Sequence, residues 1–297
     1  MATDPWPPSG EQFEISFEDQ KAAVAEVGAT LREYSASGRR ILDGFGRDEI
    51  CSGGRGQVLA PWPNRIRAGI YEFRGRTHQL PLTETERQNA IHGLVRWVPW
   101  RLLERATDRV RLGFTLHPQP GYPFTLDLSI LYSLGEAGLR VSVLARNKGA
   151  EAAPFGLGHH PYLRPAEGAL DQARLRIPAQ QVLQLDERLT PTGSVLPVAA
   201  TQFDFRVERP IGATVLDTCY TGFDEAWVEL DGARLWWDAS HEFVQVFSGD
   251  TLSPQHRRHG LAVEPMSCPA DAFNSGDGLV VLEPRSEWSG DWGIRPP

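Results

Sequence analysis

From Thr125 to Leu134 the chain alternates strictly in character. Leu126, Leu128, Ile130, Tyr132 and Leu134 fall on one side, Thr125, Asp127, Ser129 and Ser133 on the other. A period of two belongs to a strand with one face buried. After Gly135-Glu136-Ala137-Gly138 the alternation resumes from Leu139 to Asn147, with Leu139, Val141, Val143 and Ala145 facing one way. The two runs predict an antiparallel hairpin with a four-residue loop. Further short strands are predicted at Ala22 to Tyr34, Gly69 to Arg74, Arg109 to Leu116, Ala226 to Leu230, Arg234 to Ala239, Phe243 to Ser248, Leu261 to Glu264 and Gly278 to Glu283.

The 29 glycines and 23 prolines are spread through all 297 residues and leave little room for long helices. No repeat of fixed period, low-complexity linker or charge run marks a domain boundary. The expectation is an all-β protein, a single large antiparallel β-sandwich over residues 11–297 behind a disordered tail at residues 1 to about 10.

Composition narrows the partners. With 38 acidic against 30 basic side chains the net charge is −8, which gives no electrostatic reason to bind nucleic acid or an anionic membrane. A neutral small molecule is the easier partner. Cys51, Cys219 and Cys268 are scattered and odd in number, so they make neither a disulfide framework nor a metal knuckle. The proline-rich start at Met1 to Ser9 is no secretion signal, and no apolar run approaches the ~20 residues that cross a bilayer. The expected location is cytoplasmic, as monomer or homodimer.

The candidate chemistry centres on His160, in Gly158-His159-His160-Pro161-Tyr162-Leu163, and Glu264, in Gly260-Leu261-Ala262-Val263-Glu264-Pro265-Met266. A histidine and a partly desolvated carboxylate are the minimum equipment for general acid-base work. A core histidine and a salt-bridged glutamate are the structural alternatives. Neighbours on a strand point to opposite faces, so only one of His159 and His160 is expected in any cleft. Arg65, in Pro61-Trp62-Pro63-Asn64-Arg65-Ile66, offers a fork of donors to hydroxyls or a carboxylate, or else caps a sheet edge. His92 precedes Gly93, where backbone can approach a ligand. Asp217 is a third acid, or a plain turn residue. Trp62, Trp97, Trp100, Trp227, Trp236 and Trp237 include possible platforms for a sugar ring. Phosphate-loop, dinucleotide-binding and Gly-x-Ser-x-Gly motifs are absent, and His256 with His259 has no nearby carboxylate to complete a metal site.

Five short motifs in one order resemble the aldose 1-epimerase (mutarotase) family over nearly the whole chain. They are Pro63-Asn64-Arg65-Ile66, Ile91-His92-Gly93 followed by Trp100, His160-Pro161-Tyr162, Leu216-Asp217, and Glu264-Pro265-Met266-Ser267-Cys268 with Asp271-Ala272-Phe273-Asn274. The resemblance implies a β-supersandwich, Glu264 as general base, His160 as general acid, and Arg65, His92 and Asp217 as holders of an aldohexose, with no cofactor or metal. The chain departs from galactose mutarotases where Leu163-Arg164-Pro165 follows Tyr162, and where Met266 and Pro269-Ala270-Asp271 follow Glu264. Both departures spare the acid and base and bear on which sugar is taken. Three other readings share the fold: a hexose-6-phosphate epimerase using Arg67, Arg96 and Arg164, a non-catalytic carbohydrate binder, and a glycoside hydrolase or lyase pairing Glu264 with Asp217 or Asp271.

Overall fold

The computed structural model describes residues 6–297, of which 49% are strand and 2% helix. The alternating hairpin forms as Leu126–Gly135 and Gly138–Asn147, fully antiparallel with Ile130 opposite Val143. Its predicted face, Leu126 to Leu134 with Leu139 to Ala145, is buried. The loop is tighter than expected: Gly135 pairs with Gly138, leaving a two-residue turn. Gly138 sits at φ 100, open only to glycine in practice, and a Cβ there would lie 2.2 Å from the Ile294 carbonyl oxygen.

Two large sheets build the sandwich. The nine-stranded sheet carries the hairpin and sets its second strand against Glu287–Arg295, a C-terminal strand that the sequence pattern does not announce. The eight-stranded sheet runs in the order Pro191–Pro197, Ala179–Leu185, Asp217–Phe223, Phe243–Phe247, Leu261–Met266, Gly158–His159 and Val58–Leu59. Rings from the two sheets meet, His159 on Trp292 at 5.1 Å and Phe223 on Trp237 at 4.9 Å, within one continuous apolar cluster.

The segment Ala22 to Tyr34 is two strands, Gln20–Ala25 and Thr30–Ala36, because Gly28 and Ala29 turn through the left-handed region. They belong to a four-stranded N-terminal sheet. Of the expected tail, residues 1–5 lie outside the described residues, while Pro7 to Gly10 form a packed turn in which the Ser9 carbonyl accepts the Val27 N–H at 3.0 Å. No helix among the described residues is long and apolar enough to cross a membrane.

Candidate active site

Register decides which side chains meet. Gln245 lies directly opposite Glu264, and Asp217 opposite Phe247, two residues further along the same strand. Directly opposed residues share a face, and so do positions i and i+2, so Asp217, Gln245 and Glu264 all project from the outer face of the eight-stranded sheet. Val244, Val246, Leu261 and Val263 fill the inner face. Phe243, Cys219 and Met266 form a small apolar patch beside the acids.

A second support comes from the ribbon Arg65–Arg67 with Asn89–Ile91, which ends with Asn64 and His92 side by side. The His92 N–H donates to the Asn64 carbonyl at 2.8 Å, and the Asn64 N–H donates to His92 Nδ1 at 3.2 Å. An Nδ1 that accepts leaves the proton of the neutral ring on Nε2, as a donor for a hydroxyl. Both residues are held at positive φ, 54 for Asn64 and 62 for His92, backbone strain that clusters at functional sites. Gly93 must be glycine: at φ 70, its Cβ would lie 2.0 Å from the Ala60 carbonyl oxygen.

These elements enclose a cleft of about 490 Å³ whose wall includes Arg65, His92, His160, Asp217, Gln245 and Glu264. His160 Nε2 stands 3.3 Å from Glu264 Oε1, with His160 5% and Glu264 2% exposed. The His160 ring stacks on Tyr162 at 5.0 Å and packs against Gly54, where a Cβ would come within 2.8 Å of the ring. Tyr162 is fixed in turn by its hydroxyl, which donates to the Gly53 carbonyl at 2.7 Å. His159 points the other way, fully buried against Trp292.

Burial shapes the electrostatics. It pushes Glu264 well above the usual carboxylate range; the Asp217 charge adds to that, and Arg65 only partly offsets it. It pushes His160 down to about 3, reinforced by Arg96 and Arg55. Burial therefore favours a neutral pair with its one proton on the carboxyl, and the ion pair is the same one-proton state with the proton moved across. Asp217 is also raised by burial, against Arg65 and a 2.6 Å bond from Gln245 Nε2. Burial and then Arg96 hold His92 well below its usual value, so its ring is neutral.

Two supporting residues have no signal in the sequence. Glu84 grips Arg65 in a two-pronged pair, Nε to Oε2 at 2.8 Å and Nη2 to Oε1 at 2.9 Å, and accepts Asn89 Nδ2 at 2.9 Å. Arg65 Nη1 is left to the Asn64 side-chain oxygen at 3.2 Å. Gln245 is the other. Register alone would have found it, but register is fixed by the whole sheet.

Several candidates stand elsewhere. Arg67 pairs with Asp186 at 2.8 Å and Arg164 lies 3.9 Å from Asp43, so of the three arginines considered for a phosphate only Arg96 lines the cleft. Asp271 is used up by the Arg67 N–H and the Asn274 amide. Of the six tryptophans, only Trp97 lines the cleft, 56% exposed. Among the described residues no group of His, Cys, Asp and Glu has the arrangement to hold a metal.

The family model described as aldose 1-epimerase matches residues 11–295. The chain belongs to the aldose 1-epimerase family. It is 37% identical to the uncharacterized protein YihR of Escherichia coli K12 over 93% of this chain and 90% of that one. It is 31% identical to the galactose mutarotase of Homo sapiens, over 57% of this chain and half of the human one. Among solved structures, an aldose epimerase homologue from C. elegans superposes with a TM-score of 0.86 at 18% identity, covering 96% of this chain and 98% of that one. That likeness is one of fold. As an aldose 1-epimerase family member, the chain sets its five motif residues around a single cleft.

Proposed function

We propose that this chain interconverts the α- and β-anomers of a free aldose by opening and reclosing the sugar ring. The observation that carries the reading is the buried His160–Glu264 pair, 3.3 Å apart in a cleft of sugar size. O1 and the ring oxygen O5 are bonded to the same carbon, so an acid and a base this close reach both. Glu264 takes the O1 proton while His160 gives one to O5. The C1–O5 bond breaks and C1 becomes the aldehyde. Rotation about C1–C2 presents its other face, and reclosure reverses both transfers. Each group regains its starting state, so the cycle needs no further reactant.

Arg65 Nη1, His92 Nε2 and Asp217 supply donors and an acceptor to the remaining hydroxyls. A bound sugar displaces water from the cleft and screens the pair, which strengthens every polar contact there. Substrate hydroxyls that bond to Glu264 favour its ionised form and so move the shared proton onto His160.

Polarimetry of a freshly dissolved α-aldose tests the reading. The protein accelerates the decay of rotation, and a well-placed acid or base is worth about 10²–10⁴-fold, so Glu264→Gln and His160→Asn each slow it by that order while staying folded. Near-normal rates in both variants defeat the assignment. A sugar that binds calorimetrically without faster anomer exchange favours a pure binding protein.

A further inference from the structure

Arg96 stands out among the cations of the cleft. Arg65 is neutralised by Glu84, and Arg87 sits 3.2 Å from Glu84 and 3.8 Å from Glu86. Behind the wall, Arg55 reaches Asp43 at 3.3 Å. Arg96 makes no ion pair among the described residues. Its Nη1 donates to Gln57 Oε1 at 3.3 Å and its Nη2 to the Ile91 carbonyl at 3.4 Å, both long bonds to neutral acceptors, while its buried Nε donates to nothing in the protein. A guanidinium stays charged under these conditions, and a desolvated cation without a counter-ion is costly unless a ligand completes it.

Its position fixes what part of the sugar it meets. Gln57, which bonds Arg96, also accepts the His160 N–H through its carbonyl at 3.1 Å, and Ile91 precedes His92. Arg96 thus stands on the His160 side of the cleft. In an aldohexopyranose, O5 is bonded to C5, and C5 carries C6. When His160 faces O5, the C6 substituent is the part of the sugar nearest that side.

We infer that the cleft selects an aldohexose carrying a singly charged oxyanion at C6, which Arg96 binds through its guanidinium. The inference rests on the reading of the site as an aldose epimerase. One unpaired guanidinium balances one negative charge, so a carboxylate or a sulfate-type ester fits better than a dianionic phosphate. The anion also helps the chemistry. The Arg96 charge holds His160 away from its protonated form, and neutralising it lets the imidazole keep the proton it gives to O5.

The test measures kcat/KM for anomer exchange by proton NMR with glucose, glucuronate, glucose 6-sulfate and glucose 6-phosphate, using the full chain and its Arg96→Gln and Arg96→Lys variants. Calorimetric binding of the same sugars is measured alongside in Glu264→Gln protein with and without Arg96→Gln. A charge-assisted contact is worth about 10–100-fold, so at least one singly charged sugar exceeds glucose by that order in the wild type. Arg96→Gln collapses the anionic-to-neutral ratio toward unity, Arg96→Lys restores part of it, and added salt shrinks it. A ratio unmoved by Arg96→Gln, or glucose preferred over every anionic sugar, overturns the inference. A clear preference for glucose 6-phosphate over both monoanions overturns the charge count. Anionic binding that depends on Arg96 without exchange of any sugar sustains the site and defeats the epimerase reading instead.

Discussion

At the scale of single residues, the cleft is held by charges kept out of water. Glu84, 7% exposed at its side chain, aims the Arg65 fork. Breaking a buried pair leaves an uncompensated charge and costs about 3–5 kcal/mol. Glu84→Gln is therefore expected to lower denaturant stability by that order and to raise KM more than it lowers kcat. An unchanged KM would detach Glu84 from the site. Burial lowers His159 to about 3, while it titrates at ~6.5 once unfolded. Groups whose folded value is depressed contribute stability that is present above the unfolded value and lost as pH falls. The loss runs from pH ~6.5 toward 3, about 2 kcal/mol from His159 by pH 5. His159 packs against Trp292 and faces His241 rather than the cleft, so His159→Phe should flatten that acid limb without touching the His160–Glu264 pair. Equal slopes in both proteins would contradict it. His160, Glu264, Arg65, His92 and Asp217 were legible because the family's short motifs name them. Glu84 and Gln245 were not, because a surface-like Thr83-Glu84-Thr85-Glu86 and an apolar Phe243–Phe247 strand give no local hint of what faces them across the fold.

At the scale of elements, what the sequence conveys depends on whether a strand is half-buried or buried on both faces. Leu126–Gly135 alternates because one face meets the core and the other is partly solvated, so its position was readable to within a residue. Arg109–Leu116 was readable end to end. Leu261–Met266 is buried at every position, one face on the core and the other under the cleft, so its apolar run signals a strand without saying which way Glu264 points. Glu287–Arg295 escaped notice because Gly290 and Gly293 interrupt its alternation. Those glycines are packing requirements: a Cβ at Gly290 would lie 2.2 Å from Ser240 Oγ, and one at Gly293 2.3 Å from the Leu139 carbonyl oxygen. The two-residue turn offers a paired test. Gly138→Ala forces a left-handed backbone and a clash, and is expected to cost about 1–3 kcal/mol in thermal or denaturant unfolding. Gly135→Ala, whose added Cβ meets nothing within 4 Å, should stay within about 0.5 kcal/mol. Similar losses in both would mean the turn is not the one described.

At the scale of the whole molecule, the site exists only when distant parts of the chain are assembled. Arg65 and His92 arrive on a small ribbon, His160 at the end of a short strand, and Asp217 and Glu264 on two strands of the eight-stranded sheet. The last strand, Glu287–Arg295, joins the hairpin to Ala233–Trp237 in the middle of the nine-stranded sheet, so removing it divides that sheet. A chain ending at residue 286 is expected to lose its cooperative unfolding transition and all activity; a cooperative transition in it would contradict this account of the core. The fold class was readable from composition and alternation, whereas the division into two sheets was not, since strand order is set by long-range pairing that no local pattern encodes. The central claim, that His160 and Glu264 open and reclose a sugar ring, is tested most directly by exchange proton NMR of aldose anomers in D₂O. The account predicts catalysed exchange between the α and β H1 signals with H1 and H2 both retained, because no C–H bond breaks, and loss of that exchange by about 10²-fold or more in Glu264→Gln. Exchange no faster than in buffer with folded wild-type protein across neutral and anionic aldohexoses, or equal exchange in Glu264→Gln, would contradict it.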